Sequence, residues 1–236
     1  MLKKKLISEY KHFRDEAGIL DYLFWWFARA LLFVALVKTL KSGNNDFLAM
    51  KIRTNFLLLF VLPLLHLLPR KIFLARISYR VQSFVSMMLI MTSYFGQYKG
   101  LYSKSEWFDL YLHFFGCMIG VYLAYELFMS LKKDSGPLDP LTGAVCGFGL
   151  SFFFAVAWEI FEFVSDCIYP MSNAQNWSCH NSQGLIKILE VFGPLNPERL
   201  ALIDTMTDLI AGSLGSIVGG IILYVYLNLK TRRSDG

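Results

Sequence analysis

Asp109 and His113 stand four residues apart, Glu159, Glu162 and Asp166 follow at steps of three and four, and Asp204 and Asp208 are again four apart. Steps of three or four bring side chains onto one face of a helix, one above the other. The seven groups therefore form three polar stripes rather than scattered charges. Carboxylate oxygens with one imidazole are the donor set that manganese, zinc, iron or magnesium accepts, and helix bundles build two-metal sites from inward-facing acids in this way. His113, Glu162, Asp204 and Asp208 are the preferred ligands of a divalent metal, with Asp109 and Asp166 as the outermost candidates. Glu159 is assigned as general base or as the partner that orients a ligand.

The elements that must carry these stripes are apolar. Hydrophobic residues make up 55% of the chain and charged residues only 17%, too few to cover a soluble surface. The charges gather between apolar runs at roughly 20–40, 54–69, 78–98, 107–131, 143–165 and 201–229, each near the length that spans a bilayer. The pattern predicts an all-α, polytopic transmembrane bundle of about six helices forming a single membrane domain. Pro63 and Pro69 predict a kink in the second run, and Arg80, Gln82 and Ser83 blur the start of the third. Lys and Arg flanking the runs favour a cytoplasmic N-terminus and C-terminus. On that topology all seven groups reach the same, extracytoplasmic, level of the membrane.

Energy sharpens the reading. A carboxylate deep in a membrane helix costs about 2.5–3.5 kcal/mol on insertion scales. Six together repel, and His113 is the only cation these stripes offer. The cluster must then bind metal, share protons or open to water. Three readings stay open: a metal site, a proton or divalent-cation pathway, and a structural polar network.

Other features carry less. The basic balance sits at helix ends, where it meets lipid headgroups, and gives no nucleic-acid signal. Four cysteines are too few for a disulfide scaffold; Cys117 and Cys146 read as packing residues, and Cys167 and Cys179 as a pair if their loop faces an oxidising compartment. Met1-Leu2-Lys3-Lys4-Lys5 is followed by no short apolar core, so no removable signal peptide is expected. Gly212, Ser216 and Gly220, with Gly215 and Gly219, predict close packing of the sixth helix against the fourth, which carries Gly116 and Gly120. Arg29 and Lys38 read as snorkelling cations, and Tyr102 and Trp107 as an interfacial aromatic belt. No nucleophile elbow, zinc-protease motif or phosphate-binding loop is present.

At the acidic stripes the chain resembles a family. Trp107-Phe108-Asp109-Leu110-Tyr111-Leu112-His113-Phe114, Trp158-Glu159-Ile160-Phe161-Glu162-Phe163 and Ile203-Asp204-Thr205-Met206-Thr207-Asp208-Leu209-Ile210 resemble motifs of the YjdF-like group of bacterial membrane proteins. More distantly they are similar to VanZ-like proteins, which share an Asp/His–Glu–Asp arrangement and are associated with glycopeptide resistance. The resemblance covers about 95–220, implies a bacterial plasma membrane, and marks the cluster as the site without assigning a reaction. The resulting expectation is a metal-dependent hydrolase or transferase acting on lipid or cell-envelope molecules, with membrane lipids as partners. The alternatives are a proton- or divalent-cation-coupled transporter and a non-catalytic scaffold or resistance factor.

Overall fold

The computed structural model describes residues 7, 11, 14, 16–43, 46–69, 71–105, 107–132, 138–169, 172–175 and 197–234. Among them all regular structure is helical: α1 (Ile19–Ser42), α2 (Asp46–Leu65), a 3-10 turn (Phe73–Arg76), α3 (Tyr79–Leu89) continuing into a π-helical stretch (Ile90–Tyr98), a single turn α4 (Leu101–Lys104), α5 (Phe108–Leu131), α6 (Pro140–Ile168) and α7 (Pro197–Ser234). α1, α2, α5, α6 and α7 are each long and apolar enough to cross a membrane. Their large side chains are turned outward, as Leu23, Phe27, Phe153, Ile160 and Ile221 show, an arrangement suited to lipid and not to water.

The expected all-helical membrane architecture is present; the third expected run, 78–98, is α3 followed by the π-helical stretch and is not among the five long apolar helices, and the other differences lie at the helix ends. α2 begins at Asp46 and not near 54, because Lys51 and Arg53 lie within its first turns, where long cationic side chains reach past an apolar boundary. α6 starts at Pro140, with Asp139 as its N-cap accepting from the Thr142 N–H at 3.0 Å. The Thr142 side chain and N–H hold the Asp139 carboxyl below the ordinary carboxylate range. Proline at the first helical position forfeits only a donor that no helix would use. α7 extends beyond both predicted ends. The loop pairing of Cys167 with Cys179 lies outside the described residues, since Cys179 is not among them; Cys167 itself is exposed.

The chain forms two compact units, Met1–Gly100 with Met129–Lys133, and Leu101–Phe128 with Asp134–Gly236. In the first unit Ala28, Leu32, Leu59 and Ile90 make one buried cluster and Ala35, Leu36 and Ile52 another. Polar groups are paired across it: the Trp25 indole donates to Ser83, and Ser83 donates to Asp21 at 2.7 Å. Asn55 of α2 donates to the fully buried Ser93 in the π-helical stretch.

Arg29 departs from its expected role. It does not snorkel; it is buried in mid-helix and donates from Nη2 to the Leu59 carbonyl at 2.9 Å. Leu59 lies four residues before Pro63, which is inside α2 and has no N–H to return to that carbonyl. The guanidinium therefore replaces a missing helical donor, and it is flanked by the Trp26 and Phe60 rings at 5.1 and 4.9 Å, a favourable setting for a cation. An orphaned buried acceptor costs about 1–3 kcal/mol. Arg29→Met is expected to lower thermal stability in detergent by that order. In a Pro63→Ala background, where residue 63 supplies its own N–H, the same substitution should cost clearly less. Equal losses in both backgrounds would show that the proline and the arginine are not coupled.

Candidate functional site

In the second unit α5, α6 and α7 meet along seams too narrow for side chains. A Cβ added at Gly215 or Gly219 of α7 would overlap the backbone of Phe114 or Met118 in α5, and one at Gly147 of α6 would overlap the Val121 carbonyl. The predicted closeness of the sixth helix to the fourth is thus present through Gly215 and Gly219. Gly120 serves a different contact, facing Ser151 of α6. Ser151 donates to the Cys117 carbonyl at 3.0 Å and lies 3.4 Å from the fully buried Ser216.

One to two turns above this layer, the seams bring four of the predicted groups together. His113 of α5 holds its Nε2 3.7 Å from both Asp109 Oδ1 and Asp208 Oδ2. Its other nitrogen, Nδ1, is 3.7 Å from Glu159 Oε1. Asp109, His113 and Asp208 each offer a donor atom lying within 4.8 Å of the other two. Ligands bound at about 2.0–2.2 Å stand roughly 3–3.5 Å apart, so small side-chain rotations would close this triad on one ion. Asp208 is 2% exposed and Glu159 4%; Asp208 Oδ2 and both Glu159 oxygens accept no hydrogen bond. Buried acceptors left in this state are costly, and a cation supplies what they lack.

The remaining predicted residues are placed differently. Glu162 accepts from the Trp158 indole of its own helix at 2.9 Å. Asp204 is buried one turn from Asp208. Asp166 caps the following turn: Ser172 donates to it, and so do the backbone N–H groups of Ala174 at 2.8 Å and Gln175 at 2.9 Å. None of these three belongs to the close triad.

Depth follows from the charge-free runs. In α7 the run 209–229 is about 31 Å of helix at 1.5 Å per residue, the thickness of a hydrocarbon core. In α6 the run 141–158 is nearly as long. Asp208 and Glu159 sit immediately at the ends of these runs, so a bilayer centred on the runs would meet the cluster at the boundary between hydrocarbon and headgroups.

Two contributions escape the spacing argument. Tyr102, on the separate turn α4, packs edge-on against Phe108 at 5.2 Å. Burial, with the Asp109, Glu162 and Asp208 carboxylates, pushes its phenol well above the usual range, which places the ring beside the acids. Gln175 donates to the Thr205 hydroxyl at 2.8 Å, across the loop from α6 to α7. Neither pair has a helical repeat by which sequence alone marks it.

The fold and the cluster together define a multi-pass helical membrane protein with a His–carboxylate site at one edge of its hydrocarbon-spanning region. The chain belongs to the family described as "Predicted membrane protein (DUF2238)", whose model matches residues 23–229. An uncharacterised protein of Thermotoga maritima is 32% identical over 146 residues, which is 61% of this chain and 62% of that protein. The match thus spans less than two thirds of the relative's own length. No solved structure matches.

The seam and the site make opposite demands on stability. Gly215→Val should lower thermal stability by about 1–3 kcal/mol through overlap with α5. Asp208→Asn, measured with chelator present, should raise the melting temperature, because it removes a buried carboxylate whose Oδ2 accepts no hydrogen bond. A sharp fall for Asp208→Asn would instead mark the acids as ties between helices.

Proposed function

We propose that this protein is a metal-dependent hydrolase or transferase whose substrate is a lipid or lipid-linked cell-envelope molecule in a bacterial plasma membrane, reached on the extracytoplasmic side. The observation that carries the reading is the triad of Asp109, His113 and Asp208, set at the hydrocarbon boundary with Asp208 Oδ2 buried and accepting no hydrogen bond. A divalent ion there, manganese, zinc, iron or magnesium, would polarise a phosphoryl or acyl group and activate water. The protein's own groups take the remaining roles. Glu159 orients His113 through Nδ1, and Tyr102 offers a neutral O–H toward the developing charge of a substrate. Glu162 and Asp204 stand as reserve ligands for a second ion. Asp109, whose side chain is 30% exposed, marks the mouth.

Location supports the substrate class. A headgroup lies at the level of Asp208 and Glu159 while its acyl chains stay in lipid, and the exposed Trp107, Tyr111, Trp158 and Tyr169 suit that interface. The segments that resemble the YjdF-like and VanZ-like groups carry the same residues, and a cell-envelope substrate would agree with the association of the latter with glycopeptide resistance. Against a transport path stands the seam beneath the Ser151–Ser216 layer. There Gly147 abuts Val121 and Leu223, Gly143 abuts Leu227 and Tyr125, and Val121, Leu223 and Leu227 are buried. That packing favours one mouth over two.

The test is elemental analysis of detergent-purified protein prepared without chelator and with manganese and zinc supplied. Near-stoichiometric metal is expected in the parent and little in His113→Asn/Asp208→Asn. Metal-loaded parent should then release phosphate or acyl groups from envelope lipids while the double variant does not. A parent that retains no metal overturns the proposal.

A further inference from the structure

Thr205 behaves unlike five other helical threonines among the described residues. Thr39, Thr54, Thr92, Thr207 and Thr231 each donate a hydroxyl proton to the carbonyl four residues back, the usual local bond for this side chain in a helix. Thr205 makes no such bond. Its oxygen instead accepts from Gln175 Nε2 at 2.8 Å. A hydroxyl has one proton and two lone pairs, so with one lone pair taken by Gln175 the proton is left to turn elsewhere. The group beside it is the Glu159 carboxylate, which Thr205 approaches while neither Glu159 oxygen yet has a partner with hydrogen-bond geometry.

Gln175 is held for this contact. Its own N–H, that of Ala174 and the Ser172 hydroxyl all converge on Asp166 at the end of α6. Asn173 between them takes a positive φ of 46°, a conformation asparagine tolerates better than most residues. The turn delivers the Gln175 side chain, buried to 8% exposure, onto α7. On the far side of Glu159 stands His113 Nδ1 at 3.7 Å, and beyond the ring Nε2 faces Asp109 and Asp208.

We infer that Thr205 is a positioning residue: oriented by Gln175, its hydroxyl donates to Glu159 and fixes that carboxylate on His113 Nδ1, so that the imidazole keeps its proton on Nδ1 and turns its Nε2 lone pair to Asp109 and Asp208. Asp166 then acts as the anchor of the turn that carries Gln175, which explains why an acid on the same stripe as Glu159 and Glu162 stands apart from the triad. The consequence for metal affinity rests on the metal reading above; the consequence for the imidazole does not. A carboxylate held on the second nitrogen fixes the tautomer of a ligating histidine, and losing such a partner weakens metal binding by about 10–100-fold.

The experiment uses the full chain in detergent or nanodiscs with 15N-labelled histidine, the His113 signals being assigned by their loss in His113→Asn. Without metal at neutral pH, the parent and Thr205→Ser should show His113 protonated on Nδ1. Thr205→Val and Gln175→Ala should shift it toward the Nε2-protonated tautomer. Cobalt(II) titration should give affinities about 10–100-fold weaker for those two variants, with Thr205→Ser close to the parent. Should Thr205→Val fail to fold, Gln175→Ala, altered only in the loop, decides alone. A parent that takes no cobalt while the tautomer still shifts refutes the metal reading and upholds the positioning role. Unchanged tautomer and unchanged cobalt affinity in Gln175→Ala and Thr205→Val overturn the inference.

Discussion

The His113–carboxylate cluster depends on how closely two backbones approach. At Gly215 and Gly219 the last helix lies against the Phe114 and Met118 backbone with no room for a Cβ. Lipid offers no hydrophobic force between helices, so association rests on such van der Waals contact. That approach sets the distance between His113 and Asp208, which sit on the two helices just above it. Four ionisable groups can share so small a volume only because the backbones beneath them are held rigidly. The glycines do no chemistry, yet they decide whether the acids meet.

The site is then one in which stability is given up. The Asp208 Oδ2 atom is buried without a hydrogen-bond donor, although ordinary folding satisfies nearly all such groups. Locally unfavourable arrangements of this kind concentrate where a ligand completes the structure. The first unit shows the contrasting solution. There the irregularity at Pro63 is repaired internally, by a guanidinium brought from the neighbouring helix to the Leu59 carbonyl.

Much of this is legible in the residue order, for a physical reason. Helical periodicity and bilayer thickness are the two strongest regularities in a membrane sequence, and the spans and acidic stripes follow from them. Asp109, His113, Glu159 and Asp208 were visible because each stripe repeats every three or four residues. The repeat fixes a face but not which members of a stripe converge, so Asp166 reads as an outermost ligand, Glu162 as a preferred one and Glu159 as base or orienting partner. The structure separates them: one holds a turn, one is bound by Trp158, and one faces His113. Tyr102, Gln175 and Thr205 were hidden because their contacts join elements whose spacing is not periodic. The extra turns at the start of α2 were hidden because Lys51 and Arg53 resemble a loop until their side chains are allowed to reach out of the bilayer.

α7 is 38 residues long, about 57 Å at the helical rise, roughly twice a hydrocarbon core. Asp208 closes one end of its charge-free run and Lys230 the other, a separation of about 33 Å along the axis. Both must stay near water, so the helix carries a built-in gauge of membrane thickness. In a thinner bilayer a straight rod of this length has to tilt, and tilting carries Asp208 sideways and vertically against the headgroup plane. The lipid composition around the protein thereby becomes a mechanical variable acting on the height at which the carboxylates present themselves.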